Sequence, residues 1–124
     1  MFNPLIFSGD EFVAMPDGWY PEYGIAIEVD SKEWHLSPED HRKTMARARR
    51  MGQLAIVVLA FTPNDLRSQS DRVVAEIRKA IVSAKSLGRT ALNLRTIPVD
   101  DPDYEKLLAI PGAFNRENGP STRL

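Results

Sequence analysis

The chain has 124 residues, 43% of them hydrophobic and 27% charged, with a formal net charge of −1 and no cysteine. This suits one globular domain with a real core, excludes disulfides and thiolate metal sites, and makes a reducing, cytoplasmic setting the expectation. The longest apolar run, Leu54 to Phe61, is far short of a membrane span, and MFNPLIF has neither the length nor the basic start of a signal peptide.

Leu5 to Phe7 and Phe12 to Met15 read as two short strands around Ser8-Gly9-Asp10-Glu11, a sequence suited to a hairpin turn. The second strand delivers Asp17 to its end. Gly24 to Asp30 reads as a third strand, completing a three-strand antiparallel meander. On it Ile25, Ile27 and Val29 share one face, and Ala26, Glu28 and Asp30 share the other. Glu28 and Asp30 would stand about 7 Å apart along that strand. If residues 13–19 pair back as a hairpin, Asp17 falls almost opposite Ile27 and Glu28. Three carboxylates converging from two strands make the hard-oxygen site that Mg²⁺ or Mn²⁺ prefers. The alternative is plainer: Pro16-Asp17-Gly18 is common turn chemistry, and Glu28 and Asp30 form the wet face of a half-exposed strand. Against it, acids are depleted in strands, and like charges on one face repel unless a cation neutralises them. Both readings stand on the residues alone.

Ser31 to Leu36 leaves the sheet. His35 there either reaches a phosphate, a water or a metal-bound ligand beside the carboxylates, or packs with Trp34 as a lid with its imidazole hydrogen-bonded. Ser37-Pro38-Glu39-Asp40 is a helix start, with a capping serine, a proline at the first helical position and acids at the positive end of the dipole. The helix is expected to reach Met51 or Gly52, with His41, Met45, Ala48 and Met51 or Gly52 facing the core. Arg42, Lys43, Arg47, Arg49 and Arg50 mark its other faces.

Ala55 to Phe61 is a continuous apolar run, expected as a buried central strand. Strand, helix and strand in this order make a crossover, so this strand should lie parallel to Gly24–Asp30. Asn64 to Arg67 suits one helical turn. Ser70 then opens a long amphipathic helix to about Leu87, with Val73, Ile77, Ala80, Ile81 and Ala84 on the buried stripe and Gly88 as its stop. Ala91 to Ile97 reads as a last short strand. These elements make an α/β (α+β) domain over residues 1–97: the meander, extended by the parallel strand and flanked by helices. The remainder, 98–124, is a proline- and acid-rich tail in which Tyr104 to Ile110 suits a short docking helix and Asn115 to Leu124 is expected to be disordered.

The small net charge hides an asymmetry: residues 1–36 are net −6 and residues 37–97 are net +7. A cation would offset part of the first cluster, and a basic surface beside it could hold phosphates; alternatively both are solvated faces. There is no glycine-rich phosphate loop, dinucleotide fingerprint, HExxH or nucleophile elbow, so no small-molecule cofactor is expected.

Pro16-Asp17, then Glu28-Val29-Asp30 in a strand, then Trp34-His35, then a helix with basic residues form an ordered set over roughly residues 3–87. The set resembles the PD-(D/E)XK superfamily, the restriction-endonuclease-like fold, and within it the bacterial branch related to very-short-patch-repair endonucleases. That resemblance implies a metal-dependent endonuclease acting on DNA. Asp17 and Glu28 would be Mg²⁺ or Mn²⁺ ligands, with Asp30 a ligand or the group that orients the attacking water. His35 would assist, Arg47 would hold the nucleic-acid backbone or brace the acids, and Lys43, with Arg50 on the same helix, would contact the backbone. The superfamily's usual lysine falls where this chain has Asp30, and Lys32, two residues further on, is the nearest replacement. Relatives often carry a polar His or Arg before the Phe of the parallel strand, where this chain has Ala60, a departure that removes a site contact.

The resemblance also exposes an alternative. By that resemblance a helix is expected before the first strand and this sequence reads as lacking it, as a truncated descendant or through a misassigned start, so a catalytically inactive, truncated module is the competing expectation. Such a module would bind DNA or protein, or pair as a homodimer through an exposed first strand.

Overall fold

The computed structural model describes residues 1–30 and 37–109. Lys32, Trp34, His35 and the tail from Ile110 lie outside the described residues. The fold is mixed α/β, and the described residues form two three-stranded sheets, one antiparallel and one mixed, and four helices.

The first sheet is built on β1 (Leu5–Ser8) and β2 (Glu11–Ala14), an antiparallel hairpin turned at Gly9, whose φ of 62° suits a residue with no Cβ. β6 (Arg95–Ile97) pairs antiparallel with the other edge of β1. β1 is therefore the middle strand, and its alternation buries both faces. Ile6 enters a cluster with Val13, Ala14, Trp19, Ala26, Met51 and Ile56. Leu5 and Phe7 enter another with Met15, Ile97 and Tyr104. The expected exposure of the first strand is thus corrected: both of its edges are already paired.

The second sheet has the order β3 (Gly18–Tyr20), β4 (Ile25–Val29), β5 (Val57–Phe61). This corrects the single meander. The strand that pairs antiparallel with β4 is β3, with Gly18 opposite Ile27 and Tyr20 opposite Ile25, while β2 stays in the first sheet. The physical reason lies in Pro16-Asp17-Gly18. Pro16 has no N–H to continue a ladder, and a Cβ on Gly18 would stand 3.1 Å from the Ile27 Cβ, so the close approach of β3 to β4 needs the glycine. Backbone bonds from Asn3 to Asp17 and between Met1 and Trp19, with a bridge from Phe2 to Gly18, lay residues 1–3 along the outer side of β3.

β5 runs parallel to β4, Ile25 opposite Val57 through Val29 opposite Phe61, with α1 (Pro38–Gln53) as the crossover between them. The crossover is as the sequence predicts. The central position is not: β5 is the outer strand of its sheet, with Val57 and Val58 36% and 41% exposed. A continuous apolar run states that a strand is apolar on both faces; it does not state that a neighbour lies beyond it. Before β5, Ala55 ends the chain's exit from α1 in a left-handed conformation, φ 63°, and its carbonyl accepts from Arg89 Nη2 at 2.8 Å.

Ser37 caps α1 by accepting the Asp40 amide. The inward face of α1 differs from the expected one except at its end: Met51 is buried as expected, but His41, Met45 and Ala48 are exposed, and Thr44, Arg47 and Arg50 are half-buried in their place. The inward arginines have partners, so the helix can bring charge to the sheet. α2 (Pro63–Ser68) opens with a capping box between Thr62 and Asp65. α3 (Ser70–Ser86) follows the expected stripe, with Val73 and Ala84 buried and Ile77, Ala80 and Ile81 half-buried, and Gly88 takes φ 70° just past its end.

Trp19, 2% exposed, donates from Nε1 to Thr96 Oγ1 at 3.2 Å and so links β3 in one sheet to β6 in the other. The short helix α4 (Tyr104–Leu108) docks as expected. Tyr104 donates its hydroxyl to the Asn3 carbonyl at 2.9 Å and fills the core beneath β1, so residues beyond Ile97 contribute to the packed unit.

Candidate functional site

The β3–β4 register fixes the acids. Gly18 opposite Ile27 places Asp17, one step before β3, opposite Glu28, as the sequence implies. The Asp17 carboxylate accepts the Val29 amide at 2.7 Å, so its side chain lies against β4. Gly18 is the residue whose part in this was not foreseen. Its signal was present in Pro-Asp-Gly, but it served as a turn residue in that reading and acts here as the contact that brings β3 onto β4.

Glu28 is the one acid among the buried side chains of the described residues, 8% exposed. Strand alternation turns it to the face of Ala26, which packs with Met51 of α1. Arg47, one turn earlier on α1, reaches down to form an ion pair and hydrogen bond with the Glu28 carboxylate. The physical logic is direct: burying a carboxylate is costly unless a partner charge and hydrogen bonds meet it. Asp30 lies just past β4 on the same strand face, half-buried, and its amide donates to the Phe61 carbonyl at 2.7 Å to close the β4–β5 ladder. Opposite Glu28 on β5 is Ala60, so the neighbouring strand adds no polar group there.

The basic residues divide. Arg47 is at the acids. Lys43, one turn before it, is partly exposed and pairs with Glu39 at 3.7 Å. Arg50 donates from Nε to the Val13 carbonyl at 3.0 Å and ties α1 to β2. Lys32 and His35 lie outside the described residues, so the structure says nothing of their place.

Asp17 and Glu28 thus stand at opposed register positions, with Asp30 one strand repeat away and the Arg47 guanidinium on the Glu28 carboxylate. Among the described residues no group of three or more His, Cys, Asp or Glu side chains is assembled as a metal shell. The donor chemistry still fits Mg²⁺, which dehydrates reluctantly and is commonly held by one or two carboxylates, its own waters and substrate phosphates.

Comparison with known protein families, with curated proteins and with solved structures gives no match. Among the described residues no helix is long and apolar enough to cross a membrane.

Proposed function

We propose that the chain is a metal-dependent DNA endonuclease of restriction-endonuclease-like fold. The observation that carries the reading is the placement of Asp17 opposite Glu28, on a strand that continues to Asp30 and is joined through a basic helix to a parallel neighbour. Asp17 and Glu28 would hold Mg²⁺ or Mn²⁺. Bound there, the ion would acidify a coordinated water and offset the charge that builds on the phosphate. Asp17 is kept in place by the Val29 amide while it does so. Asp30 would complete the ligand set or orient the attacking water. Arg47, already beside Glu28, has the planar fork that holds a phosphate by two parallel hydrogen bonds. Lys43 would add a backbone contact, and His35 would assist near the scissile bond. Phosphate contacts of this kind make DNA binding weaken steeply with salt.

A second reading is favoured by one specific observation, the Arg47–Glu28 ion pair. A guanidinium in that position already supplies the cation that the acid needs, as in a module that has lost its chemistry and binds DNA or protein instead. Calorimetric titration with Mn²⁺ separates the two. The nuclease reading expects saturable binding that Asp17→Asn weakens at least about tenfold, 1.4 kcal/mol. That variant keeps an oxygen for the Val29 amide and removes only the charge. A flat titration of the folded, unmodified chain would select the module.

A further inference from the structure

Among the described residues β5 is an open strand edge, and its chemistry points to what covers it. Val57 donates to the Gly24 carbonyl and Phe61 accepts from the Asp30 amide, so residues 57, 59 and 61 direct their backbone groups at β4. Val58 and Ala60 direct theirs outward, and none of these has a hydrogen-bond partner among the described residues. The other side of this sheet is covered, because residues 1–3 run along β3. Proteins usually guard such an edge with a charge, a proline or a bulge. β5, Val-Val-Leu-Ala-Phe, carries none of these, and Val58 and Ala60 are exposed.

The edge is self-complementary. A two-fold axis at Leu59 sets Val58 of one copy against Ala60 of the other, twice, and pairs all four outward N–H groups and carbonyls in antiparallel fashion. The flanking helix agrees in charge. Val73 and Glu76 of α3 lie by Phe61, Lys79 and Ser83 follow along the groove beside β5, and Arg89 beyond the helix returns to Ala55. α3 therefore runs antiparallel to β5, with Glu76 toward the Phe61 end and Lys79 one turn toward the Val58 end. The same axis exchanges the ends and sets Glu76 of each copy toward Lys79 of the other.

We propose that β5 is the interface of a symmetric homodimer, in which two β5 edges pair antiparallel and the two β3-β4-β5 sheets become one of six strands. The inference does not depend on the nuclease reading. It has a consequence for it: three strand spacings and a two-residue stagger put the two Glu28 positions about 16 Å apart on one face of the joined sheet.

Sedimentation equilibrium of the full chain tests the interface. The expected result is a concentration-dependent dimer. Val58→Lys, which places a charge on the edge, should weaken it at least about tenfold with an unchanged circular dichroism spectrum. Glu76→Lys and Lys79→Glu should each weaken it, and the double swap should restore it; both positions are exposed on α3, so these variants decide the matter if Val58→Lys fails to fold. A monomer up to millimolar concentration overturns the proposal and leaves the edge to an extended segment of another protein. A dimer indifferent to the edge charge and to both single swaps overturns it equally.

Discussion

Arg47→Met is expected to destabilise the chain by about 3–5 kcal/mol, the usual cost of leaving a buried charge without its partner. Glu28 would be that charge. Its side chain is 10% exposed and that of Arg47 is 13%, so water screens the pair only weakly. Set against a total stability of about 5–15 kcal/mol for a domain, the loss is large. The double variant Glu28→Leu/Arg47→Met should recover most of it, because an apolar pair of similar volume often equals or exceeds a buried ion pair. Urea unfolding of the two singles and the double gives the coupling directly. A cost below about 0.5 kcal/mol for Arg47→Met would contradict the buried pair and place both groups in the range of exposed ones.

Trp19→Ala should cost about 3–5 kcal/mol by opening a cavity between the two sheets. Trp19 packs with Ile6, Val13 and Ala14 of the first sheet and with Ala26 of the second, and its indole N–H reaches Thr96 on β6. Trp19→Phe should cost less, since it keeps part of the ring and loses the hydrogen bond, worth about 1 kcal/mol. Thermal unfolding followed by tryptophan-independent far-ultraviolet dichroism measures both. Equal costs for the two variants would mean that the hydrogen bond and not the packing joins the sheets.

Much of this fold is legible in the sequence where one physical signal decides the matter. Period-two alternation placed Glu28 and Asp30 on the face opposite Ile25 and Ile27, and the residues between Asp30 and Val57 could only be a crossover, which makes β4 and β5 parallel. The stripe of α3 and its glycine stop follow from apolar spacing alone. Asp17 opposite Glu28 was legible too, as a hairpin register.

The failures share a cause. On α1 the apolar spacing of His41, Met45 and Ala48 pointed to the wrong face, because the inward face carries Arg47 and Arg50. Hydrophobic periodicity cannot see an arginine that is buried because an acid on another element meets it. The meander failed at Pro16, where the strand is interrupted between β2 and β3 and the pairing with β4 passes to β3. The position of β5 failed because an apolar strand flanked on both sides and one at the rim of its sheet can have the same composition. At the site, the positions of the two acids were readable and the guanidinium on Glu28 was foreseen only as a brace, one of two roles that the resemblance offered for Arg47.

The most direct test of the proposed chemistry is cleavage of supercoiled plasmid and single-stranded DNA by the full chain with Mg²⁺ or Mn²⁺, beside Glu28→Ala. The expected result is cutting that requires the ion and disappears in the folded variant. Cutting that persists in Glu28→Ala, or no cutting by the unmodified chain with either ion, would contradict it.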